Sequence, residues 1–125
     1  MINILAIALG GALGAMFRYF LGNQISIMFG TNFPWSILLV NVIGSLLMGI
    51  TIESFNLFSI SSEPAQKFLT IGILGAFTTF STFSLDVVNL VLMNRFADAF
   101  IYILASVILA VGFLFLGIQF IKFFS

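Results

Sequence analysis

The sequence predicts an all-α membrane protein of four transmembrane helices, and three observations carry that prediction. Of its 125 residues, 62% are hydrophobic and only 6% charged, a balance from which no water-facing surface of ordinary polarity can be assembled. The charges Arg18, Lys67, Arg95 and Lys122 against Glu53, Glu63, Asp86 and Asp98 sum to zero and leave long apolar intervals. Turn-forming clusters divide those intervals into four stretches of about 20 residues, the length at which a helix crosses roughly 30 Å of hydrocarbon.

The first span is read as Ile2 to Leu21. No basic side chain precedes its apolar run, as one would in a signal peptide, so it is expected to be retained. Gly10 pairs with Gly14, and Gly11 with Ala15, at the four-residue spacing that lets helix backbones approach closely. Arg18 lies roughly 24 Å along this helix, near the membrane boundary. There a guanidinium reaches the interface or bonds helix-end carbonyls, a structural role, with attraction of anions as the alternative. Gly30, Thr31, Asn32, Phe33 and Pro34 make the first turn.

The second span, Trp35 to Ile52, repeats the small-residue device with Ser45 and Gly49. It also carries Asn41, about 9 Å inside from Trp35. An amide at that depth either bonds a neighbouring helix or donates to an ion on its path. Ser59 to Pro64 forms the polar loop, and Phe68 to Met93 the third span. Asn94 to Asp98 makes a tight hairpin into the fourth span, Ala99 to Ile121, where Tyr102 and Ser106 share one face at four-residue spacing. One domain over 1–125 results, with no linker.

The third span carries the chemistry. Lys67 and Arg95 bracket it, so its middle falls near Ser81, among the hydroxyls of Thr78, Thr79, Ser81, Thr82 and Ser84. One or two such hydroxyls would bond back to their own helix, but five within seven residues ask for more than that. Gly72 and Gly75 weaken the helix just before two β-branched threonines, which predicts an interruption mid-membrane. Irregular backbone at this depth must be buried in protein or line a wet cavity, and a cation held by the freed carbonyls is one solution. Phe80 and Phe83 are neighbours on the helix surface, with Ser81 and Ser84 beside them. Ordinary aromatic packing is one reading of the pair. The other uses the positive ring edge toward a small anion while hydroxyls donate hydrogen bonds, replacing water without trapping the ion, as conduction requires. Tyr102 and Ser106 are weaker candidates for the same track. Asp86, about 12 Å beyond Thr78, falls near the hydrocarbon edge, where it lines a vestibule or caps a neighbour.

Four spans place both termini on one side, with Lys67 and Lys122, and leave Arg18 and Arg95 on the other. That even tally gives no charge bias for insertion, so the chain is expected to insert both ways, and two copies could then pair head to tail about a two-fold axis in the membrane plane; the alternative is that the N-terminal amine fixes one orientation. The absence of any basic patch excludes nucleic acid as a partner. With no cysteine and no histidine, the usual metal ligands, disulfides and nucleophile–base pairs are missing, so an enzyme is not expected. A passive ion channel fits the residues best. A proton-coupled exporter would want a carboxylate in mid-span, and a non-conducting assembly subunit would leave the hydroxyl cluster without purpose. Residue types do not decide between anion and cation, since hydroxyls serve both.

These residues resemble a known family, the small bacterial fluoride channels called Fluc or CrcB. The likeness covers nearly the whole chain: Gly10-Gly11-Ala-Leu-Gly14-Ala15-Met-Phe-Arg18-Tyr19, then Asn41 with Gly44, then Gly75-Ala-Phe-Thr78-Thr79-Phe80-Ser81-Thr82-Phe83. It implies a multi-pass protein of the cell inner membrane that passively exports cytoplasmic fluoride. It further implies a dual-topology homodimer embedded in lipid, with two pathways each built from both subunits and a structural sodium ion at the dimer axis. By motif position Asn41, Phe80 and Phe83 would contact fluoride, and Ser81, Thr82 and Ser84 would form the polar side of the pathway. Main-chain carbonyls of Gly75 and Thr78 would hold the sodium, and Arg18 matches a family arginine.

Overall fold

In hydrocarbon every backbone N–H and C=O must be met inside the chain, so four long apolar runs become four helical spans. The computed structural model describes all 125 residues and contains helices and turns but no strand. Helix α1 runs Ile2–Phe29 and α2 runs Trp35–Leu57. The third span is composite: α3 (Glu63–Lys67), a π-helical stretch Phe68–Leu74, α4 (Gly75–Phe77) and α5 (Phe80–Leu92). Helix α6, Phe96–Phe123, completes the four stretches long and apolar enough to cross a membrane.

Each helix outruns its apolar core, and the reasons are local. Past Leu21, α1 continues through Asn23, Gln24 and Ser26 until Gly30, at φ 80°, turns the chain, a conformation glycine adopts at no steric cost. The third span begins at Glu63 rather than Phe68. There the Ser62 hydroxyl accepts the Ala65 N–H, Pro64 fills the first turn, and Glu63 pairs with Lys67 at 2.9 Å. α6 starts at Phe96 instead of Ala99 because Asn94, at φ 58°, completes the reversal early. Arg95 fastens this end: its guanidinium meets Asp98 at 2.8 Å and donates to the Asn32 carbonyl of the α1–α2 turn.

Glycines decide which helices touch. A Cβ on Gly10 would stand 2.5 Å from the Phe68 carbonyl oxygen, and one on Gly72 2.9 Å from Gly10 Cα, so α1 lies backbone to backbone on the π-helical stretch. Gly14 faces Ile73 in the same contact, whereas Gly11 meets nothing within 4 Å. α2 and α6, which run in the same direction, are locked by Gly49 against Leu114 and Ile118 and by Gly117 against Leu46 and Ile50. Ser45, paired with Gly49 by spacing, stands off that contact and faces a groove instead.

Only 18 of 125 residues are buried, as expected when lipid rather than protein covers the outer helix faces. Two clusters make the interior. Leu38, Val42, Phe83, Leu90, Ala99 and Tyr102 join α2, α5 and α6; Ile25, Val40 and Phe77 join α1, α2 and α4.

Candidate functional site

The third span breaks where the threonines follow the glycines. Thr78 (φ −86°, ψ 157°) and Thr79 (φ −152°, ψ 124°) are extended, separating α4 from α5. An extended residue inside a membrane needs partners for both of its backbone groups, and Asn41 supplies them. Its Nδ2 donates to the Thr79 carbonyl at 3.0 Å while its Oδ1 accepts the Thr79 N–H at 2.8 Å. One side-chain amide thus acts as a neighbouring strand would. The Thr79 hydroxyl then caps α5 by accepting the Thr82 N–H at 3.2 Å.

The rest of the break stays open. The carbonyls of Gly75, Ala76, Phe77 and Thr78 receive no hydrogen bond from the chain, nor do the N–H groups of Phe80 and Ser81 find an acceptor. One gap therefore has carbonyl oxygens at the C-terminus of α4 and N–H groups at the N-terminus of α5, partial charges of opposite sign at close quarters.

Beside the gap, α2, α5 and α6 enclose a groove of about 360 Å³ lined by Asn41, Gly44, Ser45, Thr78, Thr79, Phe80, Phe83 and Ser106, with apolar side chains of α6 beyond. Of the residues singled out in the sequence, Asn41, Phe80, Phe83 and Ser106 come together here. The two phenyl rings lie 5.4 Å apart at 45°, yet Phe83 is 8% exposed and Phe80 77%. Phe80 thus points out of its own chain. The Ser106 hydroxyl is buried and has no hydrogen-bond partner in the protein.

Four other candidates, Tyr102, Ser81, Thr82 and Ser84, stand apart from the groove. Tyr102 is wholly buried behind Phe83, ring centroids 5.1 Å apart, and its hydroxyl donates to Asp86 at 3.0 Å. Ser84 bonds back to the Phe80 carbonyl at 2.9 Å, and Thr78 likewise to Leu74 at 3.1 Å. Ser81 and Thr82 place their hydroxyls near that of Thr79, at 3.3 and 3.2 Å. Asp86 lines two small polar pockets, of about 200 and 150 Å³, with Thr31 and Pro34 of the first turn. Arg18 is partly exposed and takes part in no hydrogen bond or ion pair within the chain, so the bonding to helix-end carbonyls weighed for it is not formed. Ser45 was missed. Its signal was its place four residues after Asn41, on the same face of α2.

No group of carboxylate, imidazole or thiolate side chains converges to hold a metal. The oxygens free to meet a cation are main-chain ones, and Gly75 and Thr78 contribute two of them.

Comparison with known proteins agrees with this architecture. Residues 5–118 match the family model described as CrcB-like protein, Camphor Resistance (CrcB). A protein of Nitrobacter winogradskyi named fluoride-specific ion channel FluC is 45% identical over 119 residues, 95% of this chain and 94% of the relative. Proteins of the same name from Agrobacterium fabrum and Photobacterium profundum are 42% identical over 118 residues and 46% over 113, covering 94% and 90% of this chain and 94% and 89% of their own. The match runs through all four spans and the break within the third, and the chain belongs to the CrcB family.

Proposed function

We propose that this chain is a fluoride-selective passive channel that lets fluoride leave the cytoplasm across the cell inner membrane. It is not an enzyme. It works as an antiparallel, dual-topology homodimer with two pathways, each completed by both copies. The observation that carries the reading is Phe80. A phenyl ring 77% exposed beside unbonded helix ends, a free buried hydroxyl and a clamped amide is half of a site, and a second copy supplies the other half. The names of the relatives supply the ion.

The residues of the groove suit a small anion. Ser106 offers an O–H that nothing in the protein accepts, and Asn41 keeps a second N–H beyond the one given to Thr79. The edge of Phe83, held by Tyr102 from behind, presents the positive rim of its quadrupole. None of these groups is charged, so the ion exchanges its water for donors that hold it weakly enough to release it.

A sodium ion fits the free carbonyls. Gly75 and Thr78 offer hard, neutral oxygens, the ligand class such a cation takes, and Gly75 is exposed on the outer face, where a second copy can bring its own pair. Bound there, sodium supplies the positive charge that offsets the carbonyl end of α4 and joins the copies. The experiment is fluoride efflux from liposomes containing only this protein, with and without a proton gradient. Efflux driven by the fluoride gradient alone is expected. Efflux that stops when the proton gradient is collapsed would instead make the chain a proton-coupled exporter.

A further inference from the structure

A phenyl ring whose positive edge serves an ion must hold its plane, yet the torsion that turns an aromatic ring about its stem is broad. Neighbours have to fix it. Phe83 leans on Tyr102, and Tyr102, with no exposed surface, is fastened at three points. Its hydroxyl donates to Asp86 at 3.0 Å, one ring neighbour is Phe83 at 5.1 Å, and the other is Phe33, set edge to face at 5.6 Å and 84°.

Phe33 belongs to the turn between α1 and α2, and turn residues ordinarily lie on the surface. Here the ring is partly buried and packs against the cluster that contains Phe83 and Tyr102. Trp35 packs on it as well, with centroids 4.9 Å apart. The turn is itself tied down: the Arg95 guanidinium donates to the carbonyl of Asn32, the residue before Phe33, while it pairs with Asp98. Phe33 takes no part in the walls of the groove, and its ring pairs are with Trp35 and Tyr102 rather than with Phe83. Any effect it has on the groove passes through Tyr102.

We infer that Phe33 is a positioning residue of the fluoride pathway, an inference that rests on the channel reading. By pinning Tyr102 it holds the edge of Phe83 toward the groove. Were Phe33 only filler, an apolar side chain without a ring would serve at a modest cost in stability, because apolar burial is not directional. As a positioning group it acts by the plane of its ring, which leucine lacks.

The test is initial fluoride efflux from liposomes at matched content of folded protein, with melting temperatures measured alongside. Phe33→Leu should slow efflux about fivefold, the scale of one aromatic pair. Phe33→Tyr keeps the ring and should restore most of the rate. In a Tyr102→Leu background, where the ring to be pinned is gone, Phe33→Leu should change efflux by less than about twofold. Efflux through Phe33→Leu at the wild-type rate overturns the inference even if the melting temperature falls. A loss that Phe33→Tyr shares in full overturns it too, as does a fivefold loss that persists in the Tyr102→Leu background. Wild-type protein that passes no fluoride is a different result, and it removes the channel reading and this inference together.

Discussion

Replacing Asn41 separates two contributions of one side chain. Asn41→Ala removes both bonds to Thr79, at 3.0 and 2.8 Å, and leaves an N–H and a C=O of extended backbone unmet in a partly buried site. Each lost neutral bond costs about 1 kcal/mol and each stranded group about as much again, so the variant should lose about 2–4 kcal/mol, a fall in melting temperature on the order of 10 °C. Asn41→Asp keeps the acceptor for the Thr79 N–H but sets a second oxygen against the Thr79 carbonyl and puts negative charge on the groove wall. It should lose less stability than Asn41→Ala and yet abolish fluoride flux. Thermal melting of the detergent-solubilised protein, with liposome efflux at matched protein content, reads the two effects apart. Asn41→Ala melting with the wild type would refute the clamp, and normal flux through Asn41→Asp would remove Asn41 from the path.

Three further expectations rest on placement. Phe80→Ile and Phe83→Ile should both cut fluoride flux steeply. Since only Phe83 is buried, Phe83→Ile should cost about 1–2 kcal/mol and Phe80→Ile well under 1, as chemical denaturation would show; unchanged flux in both reduces the rings to packing. Gly10→Ala drives a Cβ onto the Phe68 carbonyl, whereas Gly11→Ala enters open space, so the first should destabilise by more than about 1 kcal/mol and the second barely register in single-chain melting. Equal effects would mean that α1 packs on its other face. Ser106→Ala deletes a hydroxyl with no protein partner and should leave the melting temperature unchanged while slowing efflux; unaltered efflux would leave that hydroxyl without a part in conduction.

The four spans and the interruption of the third were legible because they rest on composition and on local helix propensity. The π-helical stretch was not, since bonds one residue longer than usual leave no mark in residue type. Spacing marked Gly10 with Gly14 and Gly11 with Ala15 equally, and only the docking of Gly72 on Gly10 chose between the stripes. Asn41 was legible as an intramembrane amide, but its partner is the backbone of a residue 38 positions away that becomes extended only once the helix breaks. Tyr102 and Ser106 share a helix face as their spacing says. The longer side chain nevertheless passes behind Phe83 to Asp86, leaving the shorter one in the groove. Of the five clustered hydroxyls, those of Thr78 and Ser84 satisfy their own helix and that of Thr79 caps the next. The local bonding that the size of the cluster argued against thus absorbs much of it.

The central claim is that neutral donors and ring edges, rather than fixed charge, pick out the smallest halide. Initial efflux rates from liposomes holding this protein alone, loaded in parallel with potassium fluoride or potassium chloride, test it most directly. Fluoride should leave at least about a hundredfold faster, a difference of only ~2.7 kcal/mol between the two ions in the pathway. Chloride keeping pace with fluoride would contradict the account.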